Sequence, residues 1–335
     1  MKSVWLFAVL LLATDVGASD IIVPRAVPGG LFALREMDMH IHAGLERELE
    51  LQPWIDLSVA DGRKVLLLLD HIELYRMSDK EYAAWAKEHH GRQWYPMKTE
   101  GHRALMADFD KAAARNDVLI FKGWEIGEFE LDEGLEEAPM ALAEVIGWHI
   151  SPNHKGEPPD GKKLLKRIAQ IKEVRKRFPV PMIIFHPFTM RIEHVQRDAQ
   201  KSGRDPKTIS VQQYRFFKGD EQEKVIRELR DSSIYVEMSS ASAAYWNDPI
   251  VREALIADIK PLAEGGVQFT VSTDAHGAAA LRAPFGPDKY CTPCAITPQN
   301  TNTVIRELLA LRAKRAPPDG PTMVKIGQPN GVKQN

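Results

Sequence analysis

The chain has 335 residues, with 44 lysines and arginines against 46 aspartates and glutamates, a net charge of −2, and 44% hydrophobic residues. That apolar fraction excludes a disordered chain, and the length suits one large α/β core. The cations are scattered along the sequence, which leaves no electrostatic footprint for duplex nucleic acid or an anionic membrane, and nothing implies an obligate protein partner.

Residues 1–18 have the pattern of a secretory signal: Lys2, an apolar stretch over 4–13, and the small residues Val16-Gly17-Ala18 before Ser19. The stretch is shorter than the roughly 20 residues of a membrane span. The expectation is export by signal peptide, to the periplasm or the medium, of a single domain over 19–315. Residues 316–335, rich in Pro, Gly, Asn and Lys, are expected to be a disordered tail.

Seven apolar runs follow, over 35–42, 65–71, 118–125, 143–149, 181–186, 234–237 and 267–276, and each ends on a residue able to bind a metal. Their interiors carry almost no polar residue, as strands buried on both faces do. Segments of helical composition at 78–90, 101–115, 162–178, 220–230, 248–263 and 298–314 alternate with them. Strand and helix in regular succession predict parallel pairing with right-handed crossovers, and seven units favour a closed barrel. Long insertions at 73–117 and 188–219 follow the second and fifth strands, on the face where barrel enzymes keep their chemistry.

Alternation along a strand sends His40 and His42 to one side, and Asp274 and His276 likewise. His71, His149, His186 and Glu125 end other strands. A lone histidine at a strand end is more often a hydrogen-bonded core residue; six of them with two carboxylates at one barrel mouth point to a divalent metal centre. Cys291 and Cys294, in an oxidising compartment, are expected to form a disulfide across a turn, with a redox-active dithiol or half a zinc site as the other readings.

The ordered motifs Asp38-Met-His-Ile-His42, Asp70-His71, Gly-Trp-Glu125-Ile-Gly, His186-Pro187 and Ser272-Thr-Asp-Ala-His276 resemble those of the PHP (polymerase and histidinol phosphatase) family over about residues 35–280. The resemblance implies an α/β fold, a distorted (β/α)7 TIM-like barrel of PHP type. It also implies two or three divalent ions (Zn, Mn or Fe) and hydrolysis of a small-molecule phosphate mono- or diester by metal-activated water. Carried over by motif, His40, His42 and Asp274 hold one ion. Glu125 bridges to a second held by His149 and His186, and His71 with His276 holds a third.

After the histidine pair the family commonly places Asp or His, whereas this chain reads Ala43-Gly44-Leu45-Glu46-Arg47-Glu48, so Glu46, ahead of Glu48, is expected to substitute. Asp38 and Asp70 are expected to orient ligand imidazoles from behind. Glu237 is left open between ligand, orienting group and barrel interior. Arg191 is the candidate cation for phosphoryl oxygens and His194 the candidate acid, against plain surface roles for both. Trp94, Tyr95 and Trp124 either stack on the organic half of a substrate or pack the insertion. An amidohydrolase-like C–N or C–O hydrolase on the same centre and a non-catalytic extracytoplasmic metal-binding protein are the alternatives.

Overall fold

Strands that are apolar on both faces need cover on both faces, and parallel strands obtain it from the helices that connect them. A computed structural model describes residues 31–88, 94–127, 137–150, 158–205, 208–283 and 285–315; the expected signal and tail lie outside them. Seven parallel strands pair in sequence order: β1 (Met37–His42), β2 (Val65–Leu69), β3 (Leu119–Ile126), β4 (Val145–His149), β5 (Met182–Phe185), β6 (Ile234–Ser239) and β7 (Phe269–Ser272). All their residues are buried except Lys122 and His149. The main connecting helices are α1 (Leu51–Ala60), α2 (Asp79–Glu88), α3 (Lys98–Ala112), α4 (Gly161–Arg177), α5 (Pro187–Lys201), α6 (Glu221–Leu229) and α7 (Pro249–Glu264). The architecture is a (β/α)7 barrel.

The sheet closes on itself at its carboxyl end. There Asp274 N donates to His40 O (3.0 Å) and His42 N to Ala275 O (3.1 Å). Asp38 reinforces this seam, its carboxylate accepting from Thr273 N (2.9 Å) and Thr273 Oγ1 (2.8 Å) while Arg63 Nε lies 3.3 Å away. Asp38 therefore serves barrel closure and touches no ligand imidazole, which corrects its expected role.

Within the barrel, the first ladder shifts register between Asp38 and Ile41, a bulge that leaves His40 and His42 on one side. Gly147 on β4 is required by close approach, because a Cβ there would lie 1.7 Å from the Phe185 ring, which fills the interior beneath His40.

Several elements depart from expectation. Helix α1 is absent from the predicted set; its first turn lacks a side-chain cap. The stretch 188–219 is mostly ordered helix, because His186-Pro187 ends the strand and Pro187 starts α5 at once. Cys291 and Cys294 lie in consecutive helical turns, Asp288–Cys291 and Thr292–Cys294, as buried free thiols, so no disulfide forms, and burial pushes Cys294 up to about 12. Among the described residues no helix is long and apolar enough to cross a membrane.

The last helix, α8 (Thr303–Arg315), ties the strands at the end opposite the seam. Arg312 forms a bidentate pair with Glu144 (2.5 and 2.7 Å) and stacks over Phe121, Glu307 accepts from Tyr235 OH (2.7 Å), and Thr303 donates to Gln268 (2.7 Å). Removing one partner of a largely buried pair leaves an uncompensated charge, so Arg312→Ala is expected to lower stability by about 3 kcal/mol. The midpoint of urea unfolding measures this; a midpoint equal to the parent chain's would show that the pair is inconsequential.

Candidate metal centre

The carboxyl ends of β1, β2, β4 and β5 and the loop after β7 deliver six histidines to one pocket around the fully buried Glu125 of β3. Glu125 Oε2 lies 3.2 Å from His40 Nε2, 3.3 Å from His42 Nε2 and 3.5 Å from His71 Nδ1. Its Oε1 lies 3.3 Å from His186 Nε2 and 3.7 Å from His149 Nδ1. Asp274 faces the same space, with Oδ1 at 3.4 Å from His40 Nε2, 3.5 Å from His42 Nε2 and 3.3 Å from His276 Nε2.

Two of these side chains reach the pocket from a left-handed backbone, His186 with φ 31° and Asp274 with φ 57°. Non-glycine residues adopt this region at a cost of about 1–3 kcal/mol and keep it where the surroundings over-determine it. Here the surroundings are hydrogen bonds: His186 N donates to Glu237 Oε2 (2.6 Å) and Asp274 N to His40 O (3.0 Å). Because β7 ends at Ser272, simple strand alternation does not place Asp274 and His276; the turn at Asp274 does.

Glu237 is an orienting group. Its Oε1 accepts from His40 Nδ1 (2.8 Å) and Ser272 Oγ (2.5 Å), which leaves His40 Nε2 facing the pocket. Asp70 accepts from Leu45 N (2.7 Å) and Tyr75 OH (2.8 Å) and lies 3.9 Å from His42 Nδ1, so it holds the loop after β1 instead of bonding an imidazole.

Glu46 sits on that loop. Its Oε2 lies 2.9 Å from His276 Nδ1, 3.2 Å from His42 Nδ1 and 3.9 Å from His71 Nε2, while Glu48 Oε1 lies beside Gly277. Glu73, not anticipated from the sequence, brings Oε1 to 3.4 Å from His71 Nδ1; its place two residues after a strand-end histidine was the available signal.

Among the described residues, four sets of side chains are spaced to hold a cation: His42, Glu46, His71 and His276; His40, His42 and Asp274; Glu125, His149 and His186; and His40, His186 and Glu237. The last set is already committed to the His40–Glu237 hydrogen bond. In the other sets, His42 Nδ1, His71 Nδ1, His149 Nε2, Glu125 Oε1 and Asp274 Oδ1 are buried without a hydrogen-bond partner among the described residues. Nitrogen and oxygen atoms left so are costly in an apolar interior, and mixed imidazole and carboxylate donors suit zinc, manganese or iron.

Arg191 and His194 do not join this pocket. Both are buried on α5, where Arg191 Nη2 donates to Gln213 O (2.9 Å) and Arg191 lines a small cavity with Tyr214, Phe216 and Asp258. Burial pulls the His194 pKa down, and the charges it feels, Arg197, Asp198, Glu193 and Lys201, all belong to its own helix. Trp124 is wholly buried against Tyr75 and His102 and donates to Pro139 O (3.0 Å), a packing role. Trp94 and Tyr95 flank Arg47.

The electrostatics of these side chains follow from their crowding. Burial opposes charge on His40, but Glu237, Asp274 and Glu125 outweigh it and raise its pKa to about 10. For His71, burial is likewise overcome by Glu125 and Glu73, giving about 9. His149 is the exception: burial and the neighbouring His186 lower it to about 3, which keeps it a neutral donor. Burial would raise Glu125, yet His71, His40 and His186 hold it well below the usual carboxylate range.

No family model and no curated protein sequence matches the chain. Among solved structures, it is similar to a histidinol phosphate phosphatase from Lactococcus lactis subsp. lactis Il1403, crystallised with zinc, L-histidinol and phosphate. That match has a TM-score of 0.46 and 13% identity, and covers 78% of this chain and 93% of that one. It is also similar to Yersinia pestis DHPS with a pterine-sulfa conjugate, at a TM-score of 0.30 and 12% identity over 79% of this chain and 98% of that one.

A cation bound to these imidazoles must displace their protons, because only the neutral ring donates. With pKa values of about 10 for His40 and about 9 for His71, both rings are protonated at neutral pH in the metal-free chain. Zinc loading is therefore expected to release protons, and apparent affinity to climb as pH rises toward those values. Calorimetric titration in buffers of different ionisation enthalpy counts the protons; loading with no net release would remove these imidazoles from the ligand set.

Proposed function

We propose that this chain is a metal-dependent hydrolase, specifically a phosphoesterase acting on a small phosphate mono- or diester, exported from the cytoplasm by its first 18 residues. The observation that carries the reading is the convergence of six imidazoles with Glu46, Glu125 and Asp274 on one pocket, where five buried nitrogen and oxygen atoms have no hydrogen-bond partner among the described residues. The motif order that resembles the PHP family supports the choice of phosphorus over carbon.

In this reading His40, His42 and Asp274 hold one ion. Glu125, His149 and His186 would hold a second, and Glu46, His71 and His276 would form the third position beside His42. Divalent ions there supply Lewis acidity, activating a water and withdrawing charge from phosphoryl oxygens. The side chains do the rest. Glu237 fixes the ring of His40 through Nδ1, and the left-handed turns at His186 and Asp274 aim their donors inward.

Arg191, bonded to Gln213, belongs to the packing around α5 and is given no part in the reaction. The site is set in a rigid barrel on singly placed, largely buried ligands. That is the arrangement of a resident cofactor and unlike the flexible histidine-rich tracts of metal carriers.

The test is elemental analysis beside a substrate panel. The purified chain is expected to carry two or three transition-metal ions, to hydrolyse a generic aryl phosphate, and to lose that activity to a chelator. Glu237→Gln is expected to lower kcat/KM by about 10–100-fold through loosened orientation of His40. Turnover of amides or lactones with none of any phosphate ester would reassign the chemistry to carbon.

A further inference from the structure

Glu46 lies on a loop, 43–49, with no regular secondary structure, yet it reaches three imidazoles. Something has to hold that loop, since an irregular segment loses backbone entropy of about 1–2 kcal/mol per residue when fixed. The holder is the next residue. Arg47 is 3% exposed, and its Nη1 donates to Ala43 O (2.8 Å), Gly44 O (3.0 Å) and Tyr95 OH (3.0 Å) while Nε donates to Leu49 O (3.1 Å).

Two rings flank the guanidinium, Trp94 at 4.4 Å and Tyr95 at 5.0 Å from their centroids. Trp94 Nε1 also donates to Arg47 O (2.9 Å), and Tyr95 OH to Asp108 on α3 (3.2 Å). Only a planar fork can reach several carbonyls and stack at the same time, which a lysine cannot do. From below, Asp70 accepts from Leu45 N, and Gly44 must be glycine because a Cβ there would lie 1.9 Å from Asp70 Oδ2.

We propose that Arg47 is a positioning residue for the third metal position. Clamped by Trp94 and Tyr95 of the 73–117 insertion, it holds the 43–49 loop so that Glu46 completes the set with His42, His71 and His276. The insertion thereby governs how firmly that one ion is held, without touching it. This rests on the metal reading given above.

The experiment reads metal per chain, and not activity alone. Metal-free protein is reloaded with zinc and dialysed to equilibrium for the parent chain, Glu46→Gln, Arg47→Met and Trp94→Leu, with far-UV circular dichroism on each. Glu46→Gln and Arg47→Met are each expected to retain one ion fewer than the parent with an unchanged spectrum. Trp94→Leu is expected to bind its weakest ion about tenfold less tightly, the effect of losing one hydrogen bond and one ring face.

A full complement in Arg47→Met beside a loss in Glu46→Gln overturns the clamp and leaves the hydrolase reading intact. A full complement in Glu46→Gln overturns the proposal by removing Glu46 from the site. A parent chain that takes up no zinc sinks both readings together. Should Arg47→Met fail to fold, Trp94→Leu decides, and parental affinity there overturns the proposal.

Discussion

One buried carboxylate sets the terms for the rest of the molecule. Glu125 has no exposed surface, and five imidazoles from four other strand ends lie within 3.7 Å of its oxygens. A lone carboxylate at that depth would cost several kcal/mol, so positive charge has to be supplied, by protons on the rings or by cations between them. Only a sheet that closes can bring the required rings from opposite sides. Barrel closure and charge compensation are therefore a single requirement here.

The seam where the barrel closes shows how tightly the two are joined. The hydrogen bonds from Asp274 N to His40 O and from His42 N to Ala275 O stitch β1 to the segment after β7, and His40, His42 and Asp274 among these residues also face the pocket. The left-handed turn at Asp274 is sustained by that stitching, and the one at His186 by Glu237, whose other oxygen orients His40. Backbone strain, seam and ring orientation thus share a few atoms, which is the arrangement expected of a site held rigid before any ligand arrives.

The gathering of the histidines was legible in the sequence because strands buried on both faces have no use for a polar residue until they emerge, so polar strand ends mark the mouth. Roles that depend on rotamer and turn were not. Glu237 bonds His40 only because the barrel brings β6 opposite β1, and Asp274 faces inward through a backbone turn that alternation does not foresee. Arg191 and His194 read as loop residues after a strand, but Pro187 launches a helix immediately and both are buried along it, Arg191 bonded to Gln213. The same local helicity placed Cys291 and Cys294 in successive turns and left them unbridged. Arg47 was invisible because its value lies in the carbonyls it collects, which no pattern of side chains announces.

At the opposite end of the molecule, α8 bonds the starts of strands through Glu144, Tyr235, Gln268 and the carbonyl of Ile120. A second anchor of cohesion thereby lies some strand-length away from the seam and the pocket. Loops at the mouth that carry neither the seam nor the pocket's side chains can be exchanged, lengthened or recharged without loosening the staves beneath them, so the rim of this scaffold can vary while its foundations stay as they are.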